Sequence, residues 1–295
     1  MSDQAMTAPL AELLRPARRT HIVDIGANPI DGEPPYKSML AAGLARLTGF
    51  EPQAEALARL EAAKGPHETY LPHAIGDGGE VYLNLCAYSG WSSLLTPRQA
   101  ALEVFSYFKP NAEVIGRIPV RTTRLDDLSV LPEIDMLKID VQGAELAVFR
   151  HGREKLRPAV AIQTEISFVA LYENQPAFGE IDMELRSQGF VPHCFKAVKF
   201  SPMAPYARPE SWTPATNQLL EADVVYVRDF VDPDAMTDEQ LKHLCLLAQY
   251  LYGSIELCGR CIDLLSRRGA LPQDALARYT ALLETARPST EAEGA

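Results

Sequence analysis

Short apolar runs alternate along this chain with stretches whose apolar residues recur every three or four positions. His21 to Ile25 is an apolar run of buried-strand length that breaks at Gly26. Pro34-Pro35 then opens a helix over 35–44, with Met39, Leu40 and Leu44 along its inner stripe. Residues 46–50 read as the second strand, and 54–64 as an amphipathic helix with Leu57, Leu60 and Ala63 inward. A third strand over 69–75 precedes the turn Gly76-Asp-Gly-Gly79. Here the regular pattern pauses. Residues 80–85 predict a hairpin strand, 89–93 a loop, 96–108 a helical or irregular stretch, and 118–124 another strand. It resumes with a fourth core strand over 134–140, a helix over 143–150, and a fifth strand over 159–166. A helix over 178–188 is closed by Gly189, and the sixth strand, 190–195, carries Pro192, which suits an edge. The span 196–221 reads as a long proline-rich loop bearing Tyr206 and Trp212, followed by a final strand over 222–228. Beyond Asp232-Pro233 the period is helical throughout, at 237–251, 254–268 and 271–287.

Strands alternating with helices predict an α/β fold, a mostly parallel sheet covered by helices on both faces. The sheet domain spans 21–230. A tail and short helix over 1–20 precede it, with residues 1–7 expected disordered, and a helical extension over 231–288 and a disordered tail over 289–295 follow. Ligands of such sheets sit outside the carboxyl ends of the strands. Those ends carry Gly26 and Asn28, Glu51, Asp77, Asp140 and Glu165. Five segments therefore deliver polar groups to one rim.

Charge narrows the partners. A net charge of −11 over 295 residues argues against a grip on nucleic acid or anionic lipid. No apolar run reaches membrane-span length, and the first residues lack a signal-type apolar core. Five cysteines do not suggest a disulfide framework, so the expected compartment is the reducing cytoplasm.

The first rim loop selects a cofactor. Glu51 follows Gly26 at roughly the spacing where an acidic residue takes a ribose diol. A dinucleotide would want G-x-G-x-x-G, but Gly26 to Gly32 reads G-A-N-P-I-D-G. Pro29 removes an N–H donor, and Asp31 would repel a phosphate. S-adenosylmethionine has an adenosine, no phosphate and a cationic sulfonium, which an acidic rim suits better.

Four segments carry a resemblance: Val23-Asp-Ile-Gly-Ala-Asn28, Gly49-Phe-Glu-Pro52, Ala74-Ile-Gly-Asp77 and Leu137-Lys-Ile-Asp-Val-Gln-Gly-Ala-Glu145. They resemble the FkbM-type family of S-adenosylmethionine-dependent methyltransferases over about residues 20–228. The resemblance implies a Rossmann-like class I methyltransferase fold, with a seven-stranded sheet whose last strand is antiparallel, and methylation of a hydroxyl. It also implies that Asp24 and Gly26 lie near the methionine portion, Glu51 at the ribose and Asp77 near the adenine, with Asn28 a further cofactor-binding residue. Asp140 would line the floor facing the acceptor. Two departures stand out: the extra Pro-Ile-Asp before Gly32, and Gln142 where relatives usually carry glutamate.

Methyl transfer is an in-line displacement in which positioning supplies most of the catalysis and a base takes the hydroxyl proton. Asp140 is the first candidate base. Lys138 shares its face two residues earlier, and the two could equally be a buried pair shaping the rim. Glu165 could act as base, acceptor-binding group or cation ligand. Asp140, Glu165 and His193 could together take magnesium, but nothing in their spacing requires it, and no metal is predicted. His73, His193, Trp91 and Trp212 are the substrate-contact candidates, each with a structural alternative. His243-x-Cys245 and Cys258-x-x-Cys261 superficially resemble zinc spacing, yet they read better as buried small residues within amphipathic helices. The stripe Leu241, Leu244, Leu247, Ala248 and Leu251 must either pack on the sheet domain or form a homo-oligomer contact. The acceptor class is a small molecule or glycan, most simply a sugar hydroxyl on a glycan or glycosylated natural product. Two rivals remain: an NAD-dependent nucleotide-sugar oxidoreductase, and a non-catalytic adenosyl-ligand binder.

Overall fold

The computed structural model describes residues 4–30, 32–206 and 217–286; Asp31, Trp212 and the 289–295 tail lie outside the described residues. The strands are β1 (Thr20–Ile25), β2 (Ala45–Phe50), β3 (Glu68–Leu71), β4 (Ala74–Ile75), β5 (Glu80–Cys86), β6 (Val114–Thr123), β7 (Met136–Ile139), β8 (Ala161–Ser167), β9 (Phe190–Phe200) and β10 (Leu219–Arg228). The α-helices are α1 (Gln4–Leu14), α2 (Lys37–Ala41), α3 (Ala54–Ala63), α4 (Gln99–Val104), α5 (Glu145–Arg150), α6 (Arg153–Leu156), α7 (Phe178–Ser187), α8 (Asp238–Leu247), α9 (Ile255–Arg267) and α10 (Ala275–Ala286). The chain divides into two compact units: residues 21–32 with 47–229, and residues 1–20 with 33–46 and 230–295.

The first unit carries a seven-stranded sheet in the order β3-β2-β1-β7-β8-β10-β9. β1 pairs with β7, β7 with β8, and β2 with β3 in parallel, whereas β10 runs antiparallel to both neighbours. All six residues of β1 are buried, as expected of a strand covered on both faces. Val23, Ile139, Ile162 and Val224 from the strands meet Val148, Phe149, Ile181 and Leu185 from α5 and α7 in one core. Each such side chain contributes about 1.5–3 kcal/mol by leaving water.

One buried cation ties the end of this sheet. The Arg228 guanidinium donates to the carbonyls of Leu156, Arg157, Ala159 and Gln188 and lies 3.9 Å over the Phe190 ring. Burial pulls it down to about 10, so it stays charged at neutral pH.

The structure corrects several expected boundaries. The strand expected over 69–75 splits at Pro72, which has no N–H to continue a ladder. Its first half stays in the main sheet, and its second half joins a separate three-stranded sheet, β4-β6-β5. The helix expected over 35–44 shrinks to α2, because Gly43 at φ 69° turns left-handed and ends it. β9 and β10 both reach into the expected 196–221 loop, so Lys199, Phe200, Leu220 and Glu221 are strand residues. The prolines of that loop had masked the alternation at its two ends. The first helix begins at Gln4, inside the stretch expected to be disordered.

In the second unit α8 packs against α1 and α9, and α10 against α1 and α9. Leu241, Leu244, Leu247, Ala248 and Leu251 are all buried. Thr237 caps α8 reciprocally with Gln240. His243 is fully buried, with Nδ1 3.0 Å from Thr20 Oγ1. Cys245, Cys258 and Cys261 are also fully buried, and burial pushes the thiols of Cys245 and Cys261 up. Among the described residues no group of three or more His, Cys, Asp or Glu is placed to hold a metal, and no helix is long and apolar enough to cross a membrane.

Candidate active site

The ends of β1, β2 and β7 are sewn together by backbone. Gly26 N–H and Ala27 N–H both donate to Phe50 O at 3.1 Å, and Asp140 N–H donates to Ile25 O at 3.0 Å. Gly26 sits at φ 85°, and a Cβ placed on it would stand 2.0 Å from Asp140 O. Only glycine lets the turn pass this close to the β7 end. Glu51 lies just beyond Phe50. It is 3% exposed, and its Oε1 accepts the Gln53 N–H at 2.7 Å. Burial pushes its carboxyl up, opposed by the Gln53 N–H and by Arg59. Asn28 is half-buried in the same turn.

Asp24 faces Lys138 across the β1/β7 register, with 3.1 Å between Oδ1 and Nζ. Burial alone would lower Lys138, but Asp24, Asp140 and Asp223 around it hold it up. Asp77 is exposed; its Oδ1 accepts the Gly79 N–H and the Thr122 hydroxyl at 2.8 and 3.2 Å. The Gly79 N–H does most to hold its carboxyl low. Its visible job is to shape the turn after β4. His73 tilts against the Phe50 ring, 6.3 Å between centroids.

A pocket of about 390 Å³ opens beside Gln142 and Glu165. Because β10 runs backwards, its first residues arrive where the parallel strands end, and Leu220 and Glu221 join Glu165 of β8 with Lys199 and Phe200 of β9. Gln142 bridges the floor. Its Nε2 donates to Asp140 Oδ1 at 2.8 Å and to Glu165 Oε2 at 3.0 Å, and its Oε1 accepts the Tyr172 hydroxyl at 3.0 Å. Its backbone is left-handed at φ 56°, and its carbonyl accepts Ser93 Oγ at 2.6 Å. Lys199 Nζ donates to Glu165 Oε1 at 2.9 Å and to Glu221 Oε2 at 3.1 Å. Burial, then the charges of Asp140 and Glu221, push Glu165 well above the usual carboxylate range despite Lys199. Burial likewise raises Glu221. Lys199 is held protonated, its burial outweighed by the two glutamates.

Aromatic side chains also line this pocket. Trp91 lies 5.4 Å from the Phe108 ring and 5.8 Å from that of Tyr172, with Tyr88 and Phe200 nearby in the lining. Ala101, Phe105, Leu171, Tyr172 and Leu220 form a small core behind it.

The structure thus brings together Asp24, Lys138, Gly26 and Asp140 on one side, and Asp140, Glu165 and Trp91 on the other. His193 stands apart. It precedes Lys199 by six residues on β9, roughly 20 Å at strand rise. The Asp140–Glu165–His193 set considered for magnesium is therefore not assembled, and Glu165 spends both oxygens on Gln142 and Lys199. Sequence reasoning missed Lys199, Glu221, Tyr172 and the bridging part played by Gln142. The lost signal was strand extent: β9 runs on to Phe200 and β10 begins at Leu219, inside the expected loop, and an antiparallel strand brings its beginning to the rim.

Glu145 opens α5 directly behind this floor. It is 2% exposed, its Oε1 accepts the N–H groups of Val141 and Gly143 at 3.0 and 3.1 Å, and burial pushes its carboxyl from 4.5 up to about 7. A raised carboxyl favours the folded state while protonated, and that stability is lost as pH climbs through the interval from 4.5 to 7. Glu145→Gln keeps the accepting oxygen and never ionises. Between pH 5 and 8 it is expected to gain about 3 kcal/mol relative to the parent. Urea midpoints across that range measure it, and a pH-independent difference would refute it.

The reversed strand beside a parallel set, the glycine turn after β1 and the acidic residue after β2 together define a Rossmann-like class I methyltransferase fold. Residues 24–192, more than half of the chain, match the methyltransferase FkbM domain, and the chain belongs to that family. It is 34% identical over 164 residues to 2-O-methyltransferase NoeI of Sinorhizobium fredii (strain NBRC 101917 / NGR234), a match covering 52% of this chain and 66% of that relative. The chain therefore spans just under two thirds of that relative's length. Among solved structures it is similar to magnesium protoporphyrin IX methyltransferase from Synechocystis PCC 6803 with bound SAM, at 12% identity and a TM-score of 0.37, over 77% of this chain and 79% of that one. Precorrin-6y C5,15-methyltransferase from Geobacter metallireducens GS-15 gives 13% identity and a TM-score of 0.35, over 77% and 90%. Both are distant likenesses.

Proposed function

We propose that this protein transfers a methyl group from S-adenosylmethionine to a hydroxyl oxygen of a sugar, glycan or glycosylated natural product. The observation that carries it is Asp140, whose carbonyl packs on the Gly26 turn while its carboxylate is tied through Gln142 to the pocket. The site's donor set fits the cofactor. Glu51 is a buried carboxylate that, among the described residues, accepts one hydrogen bond, from Gln53 N–H, which leaves lone pairs for a diol. Pro29 withholds an N–H that a phosphate would need. Family membership and a relative named a 2-O-methyltransferase favour oxygen as the acceptor atom.

When bound, S-adenosylmethionine supplies a methyl group on a cationic sulfonium, open to attack by an oxygen in line with it. Glu51 would hold the ribose, while Asp24, Gly26 and Asn28 would border the methionine portion. Asp140 commits Oδ1 to Gln142, leaving Oδ2 to accept the acceptor's hydroxyl proton. Glu165, pushed towards its protonated form, holds a neighbouring hydroxyl in place. Lys138 fixes Asp24 and keeps a positive charge close to Asp140. Trp91 and its aromatic neighbours exclude water from one side of the acceptor.

Calorimetric titration with S-adenosylmethionine and with NAD separates this reading from the dehydrogenase rival. Transfer of labelled methyl groups to glycan extracts separates it from a non-catalytic binder. Binding of S-adenosylmethionine followed by label in an alkali-stable ether is expected. Binding of NAD alone would overturn the proposal.

A further inference from the structure

Resting on the methyltransferase reading, we infer that the pocket takes an uncharged polyhydroxylated ring and rejects the same ring bearing a phosphate. The carboxyl groups of Glu165 and Glu221 line the pocket, that of Asp140 is tied to it through Gln142, and among the described lining residues Lys199 is the one cation. That cation is already engaged by the two glutamates, at 2.9 and 3.1 Å. Lys138, the other nearby amine, is paired with Asp24. A phosphate carries about −1.5 to −2 charges at neutral pH and would find no free cation among the described lining residues. It would meet carboxyl groups that offer it no positive partner, in a partly enclosed pocket where an unpaired charge costs most.

A neutral ring meets the opposite situation. Its hydroxyl protons can be accepted by Asp140 Oδ2 and by carboxylate lone pairs of Glu221, and the third N–H of Lys199 can donate to a ring oxygen. Its C–H face can lie on Trp91, Phe108 or Phe200. A pocket of about 390 Å³ is at the small end of the range for ligand sites, suited to one or two rings rather than a large aglycone. Aromatic rings and carboxyl groups line the same pocket, so one ring can meet both.

Saturation-transfer NMR on the full chain, loaded with S-adenosylhomocysteine, tests this directly. The probes are a panel of methyl pentosides, hexosides and deoxyhexosides, set against the corresponding sugar phosphates. At least one neutral glycoside is expected to give a saturable signal, with its phosphorylated counterpart at least tenfold weaker. Glu221→Gln should narrow that gap, and Trp91→Ala should weaken the neutral ring. Phosphates binding as well as neutral rings would overturn the inference. So would silence from the whole neutral panel in protein that binds the cofactor, which leaves the methyltransferase reading standing. Protein that binds no adenosyl cofactor at all would overturn that reading and this inference with it.

Discussion

Gly26→Ala should destabilise the fold by about 3 kcal/mol or more and abolish cofactor binding. Two costs add. A non-glycine residue in the left-handed region costs about 1–2 kcal/mol, and Gly26 holds φ 85°. The new methyl would also stand 2.0 Å from a backbone carbonyl oxygen, that of Asp140, which no side-chain rotation can relieve. Either the turn lifts away from Phe50 or the β7 end moves. In both cases Glu51 and Asp140 lose their mutual placement. Gly43→Ala is the matched control, with φ 69° and nothing within 4 Å of its Cβ, so only the conformational cost of about 1–2 kcal/mol applies there. Urea unfolding of both variants, with calorimetry against S-adenosylmethionine, gives the comparison. Equal losses at the two glycines would show that the close approach to Asp140 is unimportant.

Glu51→Ala should weaken S-adenosylmethionine binding at least 100-fold, about 2.7 kcal/mol, while leaving the fold intact. The fold survives because the side chain makes one local hydrogen bond, to Gln53, two residues away. Binding suffers because a buried carboxylate is the natural double acceptor for a diol. A pH signature goes with it. Burial raises the Glu51 carboxyl, whereas hydroxyl donors favour its charged form. Affinity should therefore fall as pH drops through that raised value, and Glu51→Gln should bind at an intermediate level without the acid-side decline. Unchanged affinity in Glu51→Ala would count heavily against the cofactor assignment.

The sheet was legible wherever one residue type forced one geometry. Gly26, Pro192 and Gly189 each behave as their chemistry requires: a tight turn, an edge strand and a left-handed helix stop. The polar strand ends also predicted one rim, and Asp140 and Glu165 do share it, bridged by Gln142. What stayed hidden depended on pairing between distant segments. Nothing local announces that Pro72 sends Ala74–Ile75 into a second sheet. Lys199 and Glu221 lay inside an expected loop, and their ion pairs depend on the reversed direction of β10. Tyr172 reaches Gln142 from a connection after β8 that carries no motif. Gln142 itself was visible only as a departure from its relatives, although it holds two carboxylates at once.

The pocket's two faces have different architectural origins, and this bears on how the family diversifies. Asp140, Glu165, Lys199 and Glu221 stand on, or directly after, strands of the main sheet, whose backbone ladder holds their spacing. Tyr88, Trp91 and Phe108 come from the excursion between β5 and β6, which the sheet does not need. An ancestor could exchange that excursion wholesale, trading one acceptor shape for another, without disturbing the acid–base floor. Paralogues with new acceptors should accordingly differ most between Cys86 and Val114, while their rim carboxylates drift little.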